Sequence, residues 1–407
     1  MGLTRTLRMA GSTAAVGALL FATASPASAD QVRNDQWPLR ALDAEAVWNV
    51  ATGKGVTVAV IDDGVDASHP DLKSNVLPGK DFMDGDSDAS PVTGEDHGTA
   101  MAGVIAGHGH GANGADGVKG LAPQAKILPL RDEGGRWGGL ASSIRYAVDH
   151  GASVINISQG GPTPAPGGAE REAIQYALQH NVIVVAGAGN DGKSGSEAAF
   201  YPASYPGVVS VGAVKKSNEF WEKSNSGANL LLTAPGYRVV SAKADSNGYR
   251  MGDGTSDATA YVSAACALLR EKFPDLTAGQ IVNRLTKTAG LPASAKGLKL
   301  PDQKYGYGYI RPLAALQQNI PAGSKNGPLT MPAAQPPAAS STSDDSSGGL
   351  TTNSIIALSA LGVLGLLIVI GVPLLLVLRA KRRAAEQSQV NQYGQVNQQP
   401  EYGSRYP

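Results

Sequence analysis

Between Val56 and Val211 this chain repeats one pattern, a short strand-like apolar run followed by a stretch with apolar residues at helical spacing. Val56 to Ile61 has almost no polar face to turn toward water. A strand of that kind is buried on both faces, as in the middle of a parallel sheet. Ala125 to Leu130, Ser153 to Ile157, Val182 to Ala186 and Val208 to Val211 read the same way. Gly98 to Ala106, Leu140 to Asp149 and Ala169 to His180 carry helical patterns among them. This alternation predicts an α/β fold of three layers, a mostly parallel sheet with helices on both faces. Ligand sites in such sheets open at the carboxyl ends of the strands. Asp62 and Asn190 each sit just past such an end.

Three strings carry the chemistry: Val60-Ile61-Asp62-Asp63-Gly64, Asp96-His97-Gly98-Thr99 and Gly254-Thr255-Ser256. They supply a carboxylate, an imidazole and a hydroxyl in the order Asp62, His97, Ser256. A serine hydroxyl is a weak nucleophile at neutral pH, so a neutral imidazole must take its proton during attack. A buried carboxylate holds that imidazole in the required tautomer. Each string alone has an ordinary reading: a turn, a helix cap, a loop. Together, in the order Asp, His, Ser, they match one of the known chain orders for this chemistry.

These residues resemble the subtilase family of serine proteases over roughly Trp37 to Pro312. The strings that carry the likeness are Val60 to Gly64, His97 to Gly103 and Gly254 to Ala260. The resemblance implies a subtilisin-like fold, catalytic Asp62, His97 and Ser256, and an oxyanion role for Asn190. It also implies a substrate cleft walled by Ser158, Gln159 and Gly160 on one side and Ala186, Gly187 and Ala188 on the other. An extended peptide between such walls gains main-chain hydrogen bonds. Two departures stand out. Asp257 follows the nucleophile where the family has an apolar residue, and it can raise the imidazole pKa. Phe200 precedes Tyr201-Pro202 where the family has a small residue on the pocket floor, which implies a shallow pocket for a small side chain.

The ends define the compartment. Arg5 and Arg8, an apolar Ala14 to Ala22 and the small residues Ala27-Ser28-Ala29 read as a secretory signal over residues 1–29, with Asp30 as the mature start. The peptidase domain is expected over 30–318, a Pro/Ser-rich linker over 319–353 and a membrane span over 354–378. Ile355 to Leu378 holds no charge, and as a helix its 24 residues reach about 36 Å, against a hydrocarbon core of about 30 Å. Arg379, Lys381, Arg382 and Arg383 follow at once. Positive charge stays on the cytoplasmic side, so 379–407 is read as a cytoplasmic tail and the domain faces outward in a single-pass protein.

Only 32 residues separate Asp30 from Asp62. They suit the opening helical segment and first strand, so no removable prodomain is expected. Trp37, Leu39, Leu42, Ala46 and Val47 form an apolar set there at roughly helical spacing. Signal, linker, C-terminal helix and basic end together resemble the mycosins, subtilases tied to type VII secretion. That resemblance implies limited proteolysis of exported proteins and association with the secretion membrane complex. A second reading is a scaffold of that complex with weak or no peptidase activity.

Formal net charge is zero, with 34 basic and 34 acidic residues, so no nucleic-acid partner is expected. Protein or peptide substrates are. Cys266 is the one cysteine and reads as a small buried hydrophobe. Asp84, Asp86 and Asp88 alternate but lack the spacing of a calcium loop. His108 and His110 read as part of a Gly-rich exposed loop. No metal or cofactor is expected.

Overall fold

The computed structural model describes residues 27–132, 139–164, 168–244 and 248–330, all within one unit that ends at Ala334. The first described elements are α1 (Ala27–Asp35), α2 (Trp37–Ala41), α3 (Ala44–Trp48), β1 (Thr57–Asp62) and β2 (Lys80–Asp81). Then come α4 (His97–Ala106), β3 (His108–His110), β4 (Asp116–Lys119), β5 (Lys126–Arg131), α5 (Gly139–Asp149) and β6 (Val154–Ile157). These are followed by α6 (Ala169–Gln179), β7 (Ile183–Gly187), β8 (Val209–Val214), β9 (Leu232–Pro235), β10 (Val239–Lys243) and β11 (Gly248–Gly252). Last are α7 (Thr255–Lys272), α8 (Ala278–Thr288) and α9 (Pro312–Gln317).

The main sheet runs β2-β5-β1-β6-β7-β8-β9, and its neighbouring strands pair in parallel. The alternating side chains of β1 explain the three layers. Val58 and Val60 enter one core with Met101 and Ile105 of α4 and Val262 of α7, whereas Ala59 and Ile61 enter the other with Ile144 of α5 and Ile174 of α6. Both faces of the strand are therefore dry, as its apolar run required. β1 lies between β5 and β6, where the strand order reverses. Asp62 at its end thus faces the crevice that this topology opens.

Helix α7 is buried from Thr255 to Arg270, with Ala258, Ala260, Ala264, Ala265 and Ala267 letting it lie close to the sheet and to α4. Cys266 is fully buried in it, and burial pushes its thiol up to about 12, which leaves it inert as a nucleophile at neutral pH. Leu230-Leu231-Leu232 leads into β9, a strand that the alternation of longer apolar runs does not include. The strand is four residues long and ends in Pro235, too short to carry a periodic signal.

The segment before β1 is stapled to the domain. Arg33 donates to Gly117 O (3.0 Å) and Gly114 O (3.2 Å) of the β3–β4 hairpin. The Gln36 side chain pairs with the backbone of Lys119 in both directions at 2.9 Å. Trp37 Nε1 reaches Tyr237 O and Arg238 O at 3.1 Å. Trp37, Leu39, Leu42 and Val47 are buried, but Ala46 is exposed and Ala44 is buried instead. The reason is Asp43, whose left-handed φ of 52° breaks the segment into two short helices and resets the phase. His108 and His110 belong to the hairpin, where His110 Nδ1 meets the buried Asp71 at 2.6 Å.

The C-terminal boundary also moves. Arg284 of α8 donates to Ala315 O (2.9 Å), Gln318 O (2.6 Å) and Ile320 O (3.2 Å), and Leu329 is buried. Residues 319–330, expected in the linker, therefore pack on the domain. Among the described residues no helix is long and apolar enough to cross a membrane. Ile355 to Leu378, the signal residues before Ala27 and the tail lie outside the described residues.

The opening segment should be integral to stability. Trp37→Ala removes a buried aromatic and its two carbonyl contacts, and is expected to cost about 3–5 kcal/mol. Urea unfolding of the purified domain measures this. A loss below about 0.5 kcal/mol, the range of ordinary surface changes, would mean the segment is dispensable packing.

Candidate active site

The end of β1 and the start of α4 meet through two adjacent carboxylates. Asp62 is 3% exposed, and its Oδ1 lies 2.7 Å from His97 Nδ1 while accepting the Asp63 N–H at 2.9 Å. Asp63 does something different. Its Oδ2 accepts the backbone N–H of His97 (2.9 Å) and its Oδ1 that of Gly98 (2.6 Å). These are among the amides a helix leaves unpaired at its start, and a carboxylate there is favoured by the helix dipole. The neighbouring side chain Asp96 makes no cap of its own. Gly98 is required by space, since a Cβ there would come within 2.3 Å of Gly64 O.

The two carboxylates perturb one another. Burial, then the charge of Asp62, pushes the Asp63 carboxyl up to about 6 against the pull of its two amide hydrogen bonds. Burial alone would lower the His97 pKa. Asp62, through charge and hydrogen bond, with Asp257 and Asp63 behind it, outweighs that and holds the imidazole above the ordinary histidine value.

Ser256 is the second residue of α7. Its Oγ donates to Ser158 O at 3.0 Å, and Ser158 Oγ donates back to Ser256 O at 3.2 Å. Among the described residues no hydrogen bond joins Ser256 Oγ to His97; the hydroxyl is engaged at the β6 exit. Such misalignment is common in enzymes without substrate. Asn156 and Ser263 tie the same two elements together below, with Asn156 Nδ2 on Ser158 Oγ and Ser263 Oγ on Asn156 Oδ1, both at 3.0 Å.

Asn190 lies beside Thr255. Its Oδ1 accepts the Thr255 N–H (2.8 Å) and Oγ1–H (3.0 Å), and Thr255 Oγ1 in turn accepts the Gly189 N–H at 3.2 Å. With Oδ1 engaged, the Nδ2 amide is the group of Asn190 left to donate. Thr255 therefore orients the amide while Ser256, the next residue, offers its N–H at the same helix start.

The two cleft walls differ more than the residue types suggest. Val154 to Ile157 is central in the sheet, and only the chain beyond it is open. Gly160 is exposed, and its backbone makes no hydrogen bond among the described residues. Gln159 is held by its side chain on Asp132 O. On the other side Ala186 and Gly187 are paired in β7 and buried. The N–H of Ala188 is on Val211 O (2.9 Å) and its carbonyl on Asn225 Nδ2 (3.0 Å). Those backbone groups are already engaged, so this wall supplies contact surface and not a hydrogen-bond ladder.

Asp257 is 3% exposed with no partner for Oδ1 among the described residues. Burial pushes its carboxyl up to about 6, opposed by the charges of His97 and Arg250. Arg250 itself is paired at 2.7 Å with Asp96, next to His97. The roles of Asp63 and Thr255 are not evident from sequence. Both lie inside the quoted strings, but their partners are distant or on another segment, and no local pattern encodes the pairing. The Asp84 to Asp88 carboxylates are engaged locally. Asp84 pairs with Arg131 at 3.1 Å, and Asp86 and Asp88 each accept the N–H two residues on.

The subtilase family matches residues 53–308. Subtilisin E of Bacillus subtilis is 38% identical over 244 residues, covering 58% of this chain and 61% of that protein. The chain thus spans less than two thirds of that relative's length. Subtilisin of Bacillus pumilus is 37% identical over 272 residues, covering 65% and 92%. Among solved structures, MycP1 with its N-terminal propeptide removed is 32% identical with a TM-score of 0.60, covering 71% of this chain and 99% of that one. MycP1 from Mycobacterium smegmatis is 29% identical with a TM-score of 0.59, covering 72% and 87%. On fold, on family match and on relatives alike, this chain belongs to the subtilase family, with the subtilisin-like α/β fold and mycosins among its structural neighbours.

Proposed function

We propose that the chain is a serine endopeptidase in which Ser256 attacks the scissile carbonyl, His97 takes and returns the proton, and Asp62 fixes the imidazole. The observation that carries this reading is the 2.7 Å contact from His97 Nδ1 to buried Asp62. It directs Nε2 away from the sheet as the proton acceptor. For attack the Ser256 hydroxyl leaves Ser158 O and turns to Nε2 by rotation about its Cα–Cβ bond. Negative charge then develops on the carbonyl oxygen, which Asn190 Nδ2 and the Ser256 N–H stabilise. Collapse releases the amine, protonated by His97, and water repeats the sequence on the acyl-enzyme.

The domain boundaries complete the proposal. A signal over residues 1–29, a tether after Thr330, a span near Ile355 to Leu378 and the basic end after Leu378 make an outward-facing, membrane-anchored enzyme. Its structural neighbour MycP1 comes from the ESX-1 type VII secretion system. That likeness supports limited proteolysis of proteins exported by such a system as the task of this chain.

Replacing the nucleophile tests the reading. Ser256→Ala should reduce peptidase turnover by about 10⁶, the loss that removing the nucleophilic serine causes in subtilisin. Equal turnover in the variant would sink the assignment.

The electrostatics give a second expectation. Attack needs neutral His97, so kcat/KM should rise with pH as the imidazole loses its proton, above the ordinary histidine range. Asp257, with its carboxyl at about 6, is anionic across that rise and favours the imidazolium. Asp257→Asn should therefore move the rise to lower pH. A pH profile that does not move would show that the two groups are uncoupled.

Topology is checked on intact cells. Added protease should release the domain by cutting after Thr330, with the Arg379 to Arg383 cluster protected. Cleavage of the tail from outside would reverse the orientation.

A further inference from the structure

From Lys296 to Lys304 the chain carries three lysines and two leucines. Four large apolar side chains are exposed among the described residues, and two of them, Leu298 (42%) and Leu300 (39%), sit here two positions apart. Lys299 lies between them, Lys296 and Lys304 flank them, and all three lysines are exposed. None of these ammonium groups forms an ion pair among the described residues. Asp302 is the one carboxylate in the stretch, and it accepts the backbone N–H groups of Lys304 (2.8 Å) and Tyr305 (3.0 Å). A single exposed leucine is ordinary on a protein surface. Two of them among unpaired lysines mark a surface that meets a partner.

The base of this loop is fixed on both sides. Ala295 is buried with Val214 and Tyr305, and Ser294 Oγ donates to Glu219 Oε1 at 2.6 Å. On the returning side Asp302 and Gly306 exchange backbone hydrogen bonds at 2.7 and 2.8 Å, and Gln303 O accepts the Gly227 N–H at 2.8 Å. Between these anchors the chain turns at Gly297, whose φ is +87° and where a Cβ would have no neighbour within 4 Å. The tip, Lys296 to Leu300, therefore stands clear of the domain. Pro301, which ends the tip, lines a cavity of about 280 Å³ together with Pro328, Leu329 and Thr330. Those three are the last described residues, so the chain leaves the domain beside the tip. Ile355, where the uncharged run begins, is separated from Thr330 by 24 residues, which reach at most about 80 Å.

We infer that Lys296 to Lys304 is a membrane-docking loop, which seats the domain on the anionic surface of the bilayer that holds the chain. The inference rests on the membrane-anchored reading given above. Leu298 and Leu300 enter the boundary between headgroups and acyl chains. The lysines meet the lipid phosphates, their methylene stems following the leucines inward while the ammonium groups stay in water. Neither part is sufficient by itself, since two leucines bury little area and exposed charge is screened by salt. The tether adds to both by keeping the tip at high local concentration near the surface. It departs from the same face, so docking the tip leaves it unstretched.

The test places the full chain in nanodiscs of phosphatidylcholine, with or without added phosphatidylglycerol. A polarity-sensitive fluorophore is attached at Leu298→Cys and, in a separate variant, at Leu300→Cys. Cys266 is buried and stays unlabelled. In the anionic discs the emission of both probes should shift to that of an apolar medium and be quenched by nitroxide-bearing lipid. At about 1 M salt, where the Debye length falls to about 3 Å, the shift should reverse. Each lysine beside an anionic surface is worth about fivefold, so Lys296→Gln, Lys299→Gln and Lys304→Gln combined should lower the ratio of docked to free loop by about 10². Probes that stay aqueous in both kinds of disc overturn the inference and leave the anchored reading intact. So do probes that turn apolar only in membranes of the source cell, since a protein then covers the loop. A full chain that alkaline carbonate strips from membranes removes the anchored reading, and this inference with it.

Discussion

Two neighbouring carboxylates at the end of one buried strand hold this site together. Asp62 and Asp63 share a peptide unit, yet they act on different parts of the same residue. Asp62 takes the imidazole of His97 at 2.7 Å, and Asp63 takes its backbone N–H at 2.9 Å. The side chain and main chain of His97 are therefore both referenced to β1. Because β1 is packed on both faces and paired on both edges, that reference is as rigid as the core. The arrangement sets like charges side by side in a buried place, which costs free energy. Hydrogen bonds to helix amides and to the imidazole offset it, and the raised Asp63 carboxyl is what remains of the conflict.

The opposite half of the site is fastened in a similar way, by hydroxyls where the first half uses carboxylates. Thr255 connects Gly189 and Asn190 to the start of α7, and Ser158, Asn156 and Ser263 connect the β6 exit to the same helix. Each contact is neutral and of ordinary length. This half can therefore let the Ser256 hydroxyl move between Ser158 O and His97 while the backbone donors stay fixed. Asp257 stands between the halves as a buried, half-satisfied carboxylate. Its place next to the nucleophile makes it an electrostatic setting on the imidazole.

Much of this is legible in the sequence. The continuous runs locate β1, β5, β6, β7 and β8 closely, because burial on both faces removes polar residues from the strand itself. The strings at Asp62, His97 and Ser256 are readable because the chemistry restricts residue type at each. What is not legible depends on long-range packing. Asp63 acts on amides 34 and 35 residues away, and nothing near it in sequence announces that. Helical spacing puts Ala46 inside, but the left-handed Asp43 rotates it out. Residues 319–330 look like linker by composition, yet Arg284 holds the carbonyls of Gln318 and Ile320, and Leu329 reaches the core. The wall of Ala186 to Ala188 looks available to a peptide because sequence shows residue types and not which backbone groups a neighbouring strand has already taken.

Ser256 acting as a nucleophile activated by His97 is the central claim, and one measurement addresses it without reference to any substrate. The purified domain is incubated with a fluorophosphonate, which reacts with an activated serine, and the modified residue is located by peptide mass analysis. A single adduct on Ser256, formed faster as His97 loses its proton and lost in His97→Ala, is the expected result. An adduct elsewhere, or none on folded protein across that pH range, would contradict it.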